Sequence, residues 1–352
     1  MKFSDVLEIK NGKNQKQVEN PNGKYPIYGS GGIMGYADHY ICEPHTVIIG
    51  RKGTINNPIY VETPFWNVDT AFGLQANKDI LHPKYLYYFC ENFNFEALNT
   101  TVTIPSLTKA NLLNIDIPLP SLAEQDEVIT ILTSVDNLIL DSVTQLQKLN
   151  ELVKARFVEL FGNVSDFVNI TDIAHTYIGL VTTMTKHYCN NGTPLLFNSS
   201  IKSDKIVWDG TYLDVEFAEA NKSRMHKTND IVTVHTGDIG TSAVVGEEFN
   251  NSLGFATIVT RINDVSRYYP RFVSSFLNYG SGKEQLKKYS RDVRNNLNLK
   301  DFNRLMVPNV NVLEQKRYVD FLEQTDKSKL AVQESLEKLE TLKKALMQKY
   351  FG

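Results

Sequence analysis

Residues 117–125 read Ile-Pro-Leu-Pro-Ser-Leu-Ala-Glu-Gln, and the chain then runs to Phe161-Gly162 without another proline or glycine. Ser121, followed by Glu124 three residues on and preceded by Pro118 and Pro120, has the form of a helix capping box. Apolar residues then recur in steps of three and four, at Val128, Ile131, Leu132, Val135, Leu138, Val143, Leu146, Leu149, Val153, Phe157 and Leu160. That period predicts one helix over 121–161, about 60 Å long at ~1.5 Å per residue. Sliding the chain against itself by 190 residues lays Leu107–Gly162 on Leu297–Gly352 without a gap, and 15 of 56 positions are identical. Pro118/Pro308, Glu124/Glu314, Gln125/Gln315 and Phe161-Gly162/Phe351-Gly352 are among them. A second helix is therefore predicted over 311–351. A helix of this length with one apolar stripe needs a partner, and the other copy is the expected one, in an antiparallel coiled coil. The plainer alternative is two ordinary bundle helices in separate domains.

The segments before each helix, 1–106 and 167–296, have short runs rich in Tyr, Val, Thr and Gly, such as HTVIIG, PIYVETPFW, NDIVTVH and LGFATIVTRI. These are strand-and-turn patterns. A short helix is expected near Pro83–Phe93 and another near Arg271–Tyr279. The fold class expected is α+β: two small α/β, mostly β, domains separated by two long helices, with a pseudo-two-fold internal repeat. The boundaries fall at 1–106, 107–163, 164–296 and 297–352.

The 352 residues carry 37 basic and 40 acidic side chains, a net charge of −3. Bulk charge alone cannot hold nucleic acid, but the basic residues cluster. Seven fall between Lys283 and Arg304, against three acids. No stretch reaches the ~18 apolar residues of a membrane span, and MKFSDVLEIK lacks the apolar core of a signal peptide. A cytoplasmic chain with no membrane role is expected. The three cysteines, Cys42, Cys90 and Cys189, lie far apart and read as reduced thiols.

Signals for enzyme chemistry are weak. Asn57-Pro58-Ile59-Tyr60 approaches the Asn-Pro-Pro-Tyr that grips a flipped base in adenine methyltransferases, but its second proline is missing. Gly29-Ser30-Gly31-Gly32 opens no helical period, as a cofactor loop should. Gly280-Ser281-Gly282-Lys283 lacks phosphate-loop spacing. No histidine stands at a metal-ligand spacing, so no metal is expected. What remains are loops dense in small hydrogen-bonding and basic residues, the groups that read base edges and phosphates. The candidates in the first domain are Ser30, Arg51, Lys52, Thr54, Thr70 and Thr103. In the second they are Thr183, Lys186, His235, Thr236, Asp238, Arg291, Arg294 and Asn295. Arg51 and the Arg291/Arg294 pair read as occupying matching places in the repeat, with guanidinium groups suited to bidentate contact with guanine or phosphate. Each of these residues can equally be an ordinary polar turn residue.

The Pro-Leu-Pro-x-Leu-x-Glu-Gln helix start, repeated as Val307-Pro308 then Leu313-Glu314-Gln315, resembles the spacer of Type I restriction–modification specificity subunits. Tyr25–Gly32, Gly50-Arg51-Lys52-Gly53-Thr54 and His235–Gly240 are similar to turns of that family's target-recognition domains. The resemblance implies a non-catalytic DNA-binding subunit in which each recognition domain reads one half of a bipartite duplex target and the helices set the distance between halves. It implies that two modification (methyltransferase) subunits dock on the chain, with or without restriction subunits. S-adenosylmethionine and ATP with Mg would then sit on those partners and no cofactor on this chain. Glu124, Gln125, Glu314 and Gln315, at equivalent helix starts, are the candidate partner-binding residues; the alternative is that they only cap helices. The competing function is a coiled-coil scaffold carrying two ligand-binding domains that do not act on DNA.

Overall fold

Capping chemistry sets where the long helices begin. In the computed structural model, which describes residues 1–52, 54–98, 106–289 and 296–352, helices span Leu122–Phe161 and Val312–Phe351, 40 residues each. The Ser121 amide and hydroxyl donate to Glu124 Oε2 at 2.9 and 2.7 Å, and the Glu124 amide donates back to Ser121 Oγ at 3.4 Å. The second copy starts on a different cap, with Asn311 Oδ1 accepting from the Leu313 amide at 2.8 Å. Among the described residues, no helix is long and apolar enough to cross a membrane.

The chain divides into two units, Met1–Thr144 with Gln333–Gly352, and Gln145–Val332. In chain order the first contains α1 (Phe3–Val6), β1 (Leu7–Asn11), β2 (Tyr25–Gly29), β3 (Gly32–Ala37), β4 (Thr46–Gly50), β5 (Ile59–Val61), β6 (Trp66–Asn67), β7 (Ala71–Ala76), α2 (Pro83–Asn92) and α3 (Lys109–Leu113). Helix α4 (Leu122–Phe161) follows. The second unit continues with β8 (Phe167–Asn169), α5 (Ile170–Ile173), β9 (Ala174–Ile178), β10 (Tyr188–Cys189), β11 (Thr193–Phe197), β12 (Ile201–Lys202), β13 (Lys205–Ile206), β14 (Tyr212–Leu213) and α6 (Val215–Ala220). Then come β15 (Ile231–Val234), β16 (Ser242–Val244), β17 (Leu253–Phe255), β18 (Thr257–Ile262), α7 (Pro270–Tyr279), α8 (Gly282–Tyr289), α9 (Leu299–Phe302), β19 (Met306–Pro308) and α10 (Val312–Phe351).

The units repeat one sheet. The first has strand order β1-β7-β4-β5 and the second β9-β18-β15-β16, every pairing antiparallel. Strands β4 and β15 are central and wholly buried, which is why TVIIG and IVTV read as runs without polar alternation. Each unit also joins a strand after the first hairpin region to a later strand in parallel: Ile27 lies opposite Trp66, and Leu195 opposite Leu253. The short helices follow with proline in their first turn, where its fixed φ suits the helix and its missing N–H costs nothing.

Within each unit the long helices run in opposite directions side by side. In the first, Val128 and Leu132 share a core with Met347, Tyr85 and Leu74. Lys343 Nζ bridges Asp136 at 2.8 Å and Glu91 at 2.7 Å. In the second, Val153, Phe157 and Phe161 meet Tyr318, Val319 and Leu322, with the rings of Phe157 and Tyr318 5.3 Å apart. Helix α8, built from the glycine-lysine stretch weighed above as a phosphate loop, is held by the buried Leu286, by Lys283 on Asp238 and Thr241, and by Gln285, whose side-chain amide exchanges hydrogen bonds with the Met306 backbone.

Candidate nucleic-acid interface

The central strand of each repeated sheet ends at a polar tip. In the first unit β4 ends at Gly50. A Cβ at that position would lie 1.9 Å from the Thr54 carbonyl oxygen and 3.0 Å from Ser30 Cβ, so only glycine permits this approach. The next residue, Arg51, donates its amide to the Thr70 carbonyl at 2.8 Å, and its guanidinium lies over the Phe72 ring at 5.7 Å. Ser30, Arg51, Lys52, Thr54 and Thr70 therefore converge on one tip, all of them exposed except the half-buried Ser30. Thr103 lies outside the described residues.

In the second unit β15 ends where His235 begins. The His235 amide donates to Asn198 Oδ1 at 3.2 Å, and its Nδ1 hydrogen-bonds Thr236 Oγ1 at 2.9 Å. Partial burial lowers the imidazole pKa, so the ring is neutral at pH 7 and offers both a donor and an acceptor. Asp238 is clamped by Lys283 Nζ at 2.6 Å and by the Thr241 hydroxyl at 2.6 Å, which hold its carboxyl below the usual carboxylate range. An open polar hollow of about 390 Å³, bordered by Asn198, Lys202, Thr236, Asp238 and Thr241, lies alongside. Thr183 and Lys186 are exposed but belong to a different part of the unit, flanking Met184 in the small core formed with Leu195, Leu213 and Leu253. Arg291, Arg294 and Asn295 lie outside the described residues.

Backbone pairing corrects one expectation about the repeat. The Leu107 amide donates to the Arg51 carbonyl at 2.9 Å, and the Leu297 amide donates to the His235 carbonyl at 3.0 Å. Lys52 bridges Ser106 as Thr236 bridges Asn296. The counterpart of Arg51 is thus His235, not the Arg291/Arg294 pair; by the 190-residue offset, 291–294 correspond to 101–104. The physical reason is that pairing to the central strand, and not the residue type, fixes equivalence between the repeats.

Two residues that complete the second tip, Asn198 and Lys283, are not among the sequence candidates for DNA contact, although Lys283 opens the basic cluster. Asn198 could have been found: Pro26 and Pro194 are 168 residues apart, and the same offset carries Ser30 onto Asn198. Lys283 stands out only as a member of the basic cluster; its place beside Asp238 depends on α8 in the folded unit.

The helix starts show a second repeated device. Gln125 is fully buried; its Oε1 accepts from the His82 amide at 2.7 Å, and its Nε2 donates to the carbonyls of Ile80 and Pro120 at 2.9 Å each. Gln315, also fully buried, does the same with Tyr269, Arg267 and Val310 at 3.1, 3.2 and 2.8 Å. Both amides are consumed inside their own units, tying the helix start to the loop before α2 or α7. Glu124 and Glu314 remain on the surface. Hydrogen bonds from Ser121 lower the Glu124 pKa, so it stays ionised.

Comparison with known proteins gives a consistent picture. The family model described as the Type I restriction modification DNA specificity domain matches residues 1–153 and again 165–343. The chain is 25% identical over 371 residues to the Type I restriction enzyme EcoBI specificity subunit of Escherichia coli, an overlap covering 94% of this chain and 77% of that protein. It is 30% identical over 115 residues to the putative type I restriction enzyme specificity subunit S.HindORF215P of Haemophilus influenzae, covering 32% of this chain and 30% of that one. In fold it is similar to the S subunit of a Type I restriction–modification system from M. genitalium, with a TM-score of 0.62 and 17% identity over 100% of this chain and 95% of the other. It is also similar, at a TM-score of 0.65 and 14% identity over 100% and 96%, to a chain from a structural study of complex assembly and conformational transition of the type I R-M system.

Proposed function

The chain belongs to the family of Type I restriction–modification DNA specificity proteins, and we infer that it is the sequence-reading, non-catalytic subunit of such an enzyme, each unit reading one half of a bipartite duplex target. The observation that carries this is the repeated tip. Two sheets of identical strand order each present a central-strand end with hydrogen-bonding and basic side chains, Arg51, Lys52 and Thr54 in one unit and His235, Thr236 and Lys283 in the other. Arginine and lysine suit guanine edges and phosphates, and the neutral His235 suits either a donor or an acceptor on a base. A chain of net charge −3 then relies on local cations and on its partners for phosphate contact.

Its partners are duplex DNA and the methyltransferase subunits, with or without restriction subunits. The paired helix starts support two modification subunits per chain, with Glu124 and Glu314 on the docking surfaces. S-adenosylmethionine and ATP with Mg belong on those partners, and the assembly works in the cytoplasm. The scaffold reading, two ligand-binding domains indifferent to DNA, draws no support from the repeated tips.

Exchanging 1–106 for the same region of a relative tests the reading. Mapping methylated adenines in the host should show one half-site changed and the other kept. Arg51→Ala should lower the affinity of the assembled complex for its target about 5- to 150-fold and relax one position. Both half-sites changing together, or undiminished binding by Arg51→Ala, would count against it.

A further inference from the structure

The hairpin β2–β3 of the first unit is anchored at its base and bare at its end. Ile27, Ala37, Trp66 and Val68 bury the base. At the other end Gly32 has φ +115°, and a Cβ on either Gly31 or Gly32 would meet no atom within 4 Å, so the turn projects into open space. Tyr28 pairs with Ile33 and Ile27 with Gly35, so Met34 is the extra residue of a β-bulge beside the turn. Ile33 and Met34 are 55% and 60% exposed. Two large apolar side chains at the ribbon end are thus left mostly open to solvent.

This bare end is continuous with the recognition tip. The Val68 amide donates to the Tyr28 carbonyl at 3.0 Å, while Thr70, two residues on, accepts from the Arg51 amide. Residues 68–70 thus hold the ribbon with one hand and Arg51 with the other. Ser30, in the turn of the ribbon, has its Cβ 3.0 Å from where a Gly50 Cβ would lie, so the ribbon turn adjoins the β4 end that carries Arg51, and a ligand broad enough to span that tip reaches Ile33 and Met34. Such a ligand must accept a two-stranded ribbon, present negative charge beside the entrance and offer apolar groups inside. The DNA major groove does all three: it admits a β-ribbon, is walled by phosphates, and carries the thymine C5 methyl as its apolar feature. Among the described residues, the corresponding stretch of the second unit is built differently. There Asn198–Ser200 leads into β12–β13, whose Ile201 is buried.

We propose that the β2–β3 ribbon enters the major groove of the half-site read by the first unit, and that Ile33 and Met34 read thymine methyl groups there. The proposal rests on the DNA-reading function above and adds a specificity element to one half of the target only.

The test uses the assembled complex with its methyltransferase subunits and duplexes carrying the target mapped from methylated adenines. Each thymidine of each half-site is replaced in turn by deoxyuridine, which removes only the methyl. For the unaltered chain, affinity should fall about fourfold at one or two positions of one half-site. The double variant Ile33→Ser, Met34→Ser, in which two exposed side chains change and the buried base is untouched, should bind several-fold more weakly and be indifferent to deoxyuridine at those positions. It should melt at the temperature of the parent and keep its methyltransferase subunits. Insensitivity to every deoxyuridine, equal sensitivity of parent and variant, or loss of the methyltransferase subunits from the variant would overturn the proposal. Arg51→Ala separates the two claims: if it weakens binding while the ribbon variant does not, only the ribbon assignment fails.

Discussion

Replacing Gln125 with alanine should destabilise the first unit far more than replacing its neighbour Glu124. The glutamine amide makes three hydrogen bonds with backbone groups of His82, Ile80 and Pro120, and no part of the residue reaches solvent. Alanine leaves one N–H and two carbonyl groups without partners in a half-buried seam. At about 0.5–1.5 kcal/mol net for each bond, the loss is roughly 3 kcal/mol. For a unit of this size that corresponds to a fall in melting temperature of about 6–12 °C. Glu124→Ala removes only an exposed cap and should shift melting by a few degrees at most. Differential scanning calorimetry of the intact chain reads both variants, and hydrogen exchange at the His82 amide localises the change. A Gln125→Ala chain that melts within a degree or two of the parent, with the His82 amide still protected, would refute the idea that the buried glutamine fastens α4 to its sheet.

His226 is fully buried, with Nδ1 hydrogen-bonded to Ser252 Oγ at 2.9 Å, and burial lowers its pKa to about 4. A depressed histidine contributes stability that is present above its unfolded pKa of about 6.5 and is lost as pH falls toward 4, to a total of ~3 kcal/mol. Urea unfolding followed by Trp208 fluorescence in a Trp66→Phe chain should show the second unit weakening between pH 7 and pH 4.5, and a flat profile in His226→Gln would assign the effect. Lengthening both long helices tests the spacer role that the family resemblance implies. Four residues inserted after Leu146 and four after Leu336 add about 6 Å to each helix while turning its apolar stripe only about 40°. The methylated-adenine pattern should keep both half-sites and widen the gap by one or two base pairs, and an active double insertion with an unchanged gap would rule out the helices as the ruler.

The long helices were legible from residues 107–162 and 297–352 because their signals are local. A capping box, a 3.6-residue period and an uninterrupted run do not depend on distant contacts. The same locality exposed the buried central strands and the proline-started short helices. The polar tips of the two sheets were legible only in part. Ser30, Arg51, Thr54 and Thr70 stand out as polar loop residues, yet their convergence depends on Gly50 closing against Thr54 and on the Arg51–Thr70 bond. Laying Gly53 on Gly237 already puts Arg51 on His235, and the sheet register bears that pairing out over the Arg291/Arg294 reading; the places of Asn198 and Lys283 were settled by sheet register and by α8. The offset between repeats drifts from 168 at Pro26/Pro194 to 190 at Leu107/Leu297, so no single alignment of the sequence with itself superposes the tips. Residues far apart in the chain become neighbours only when antiparallel strands choose their register, and that choice is made by the buried faces of the whole sheet. The chain by itself therefore determined its repeat, its helices and the kind of surface it carries; tertiary structure decided which side chains share that surface.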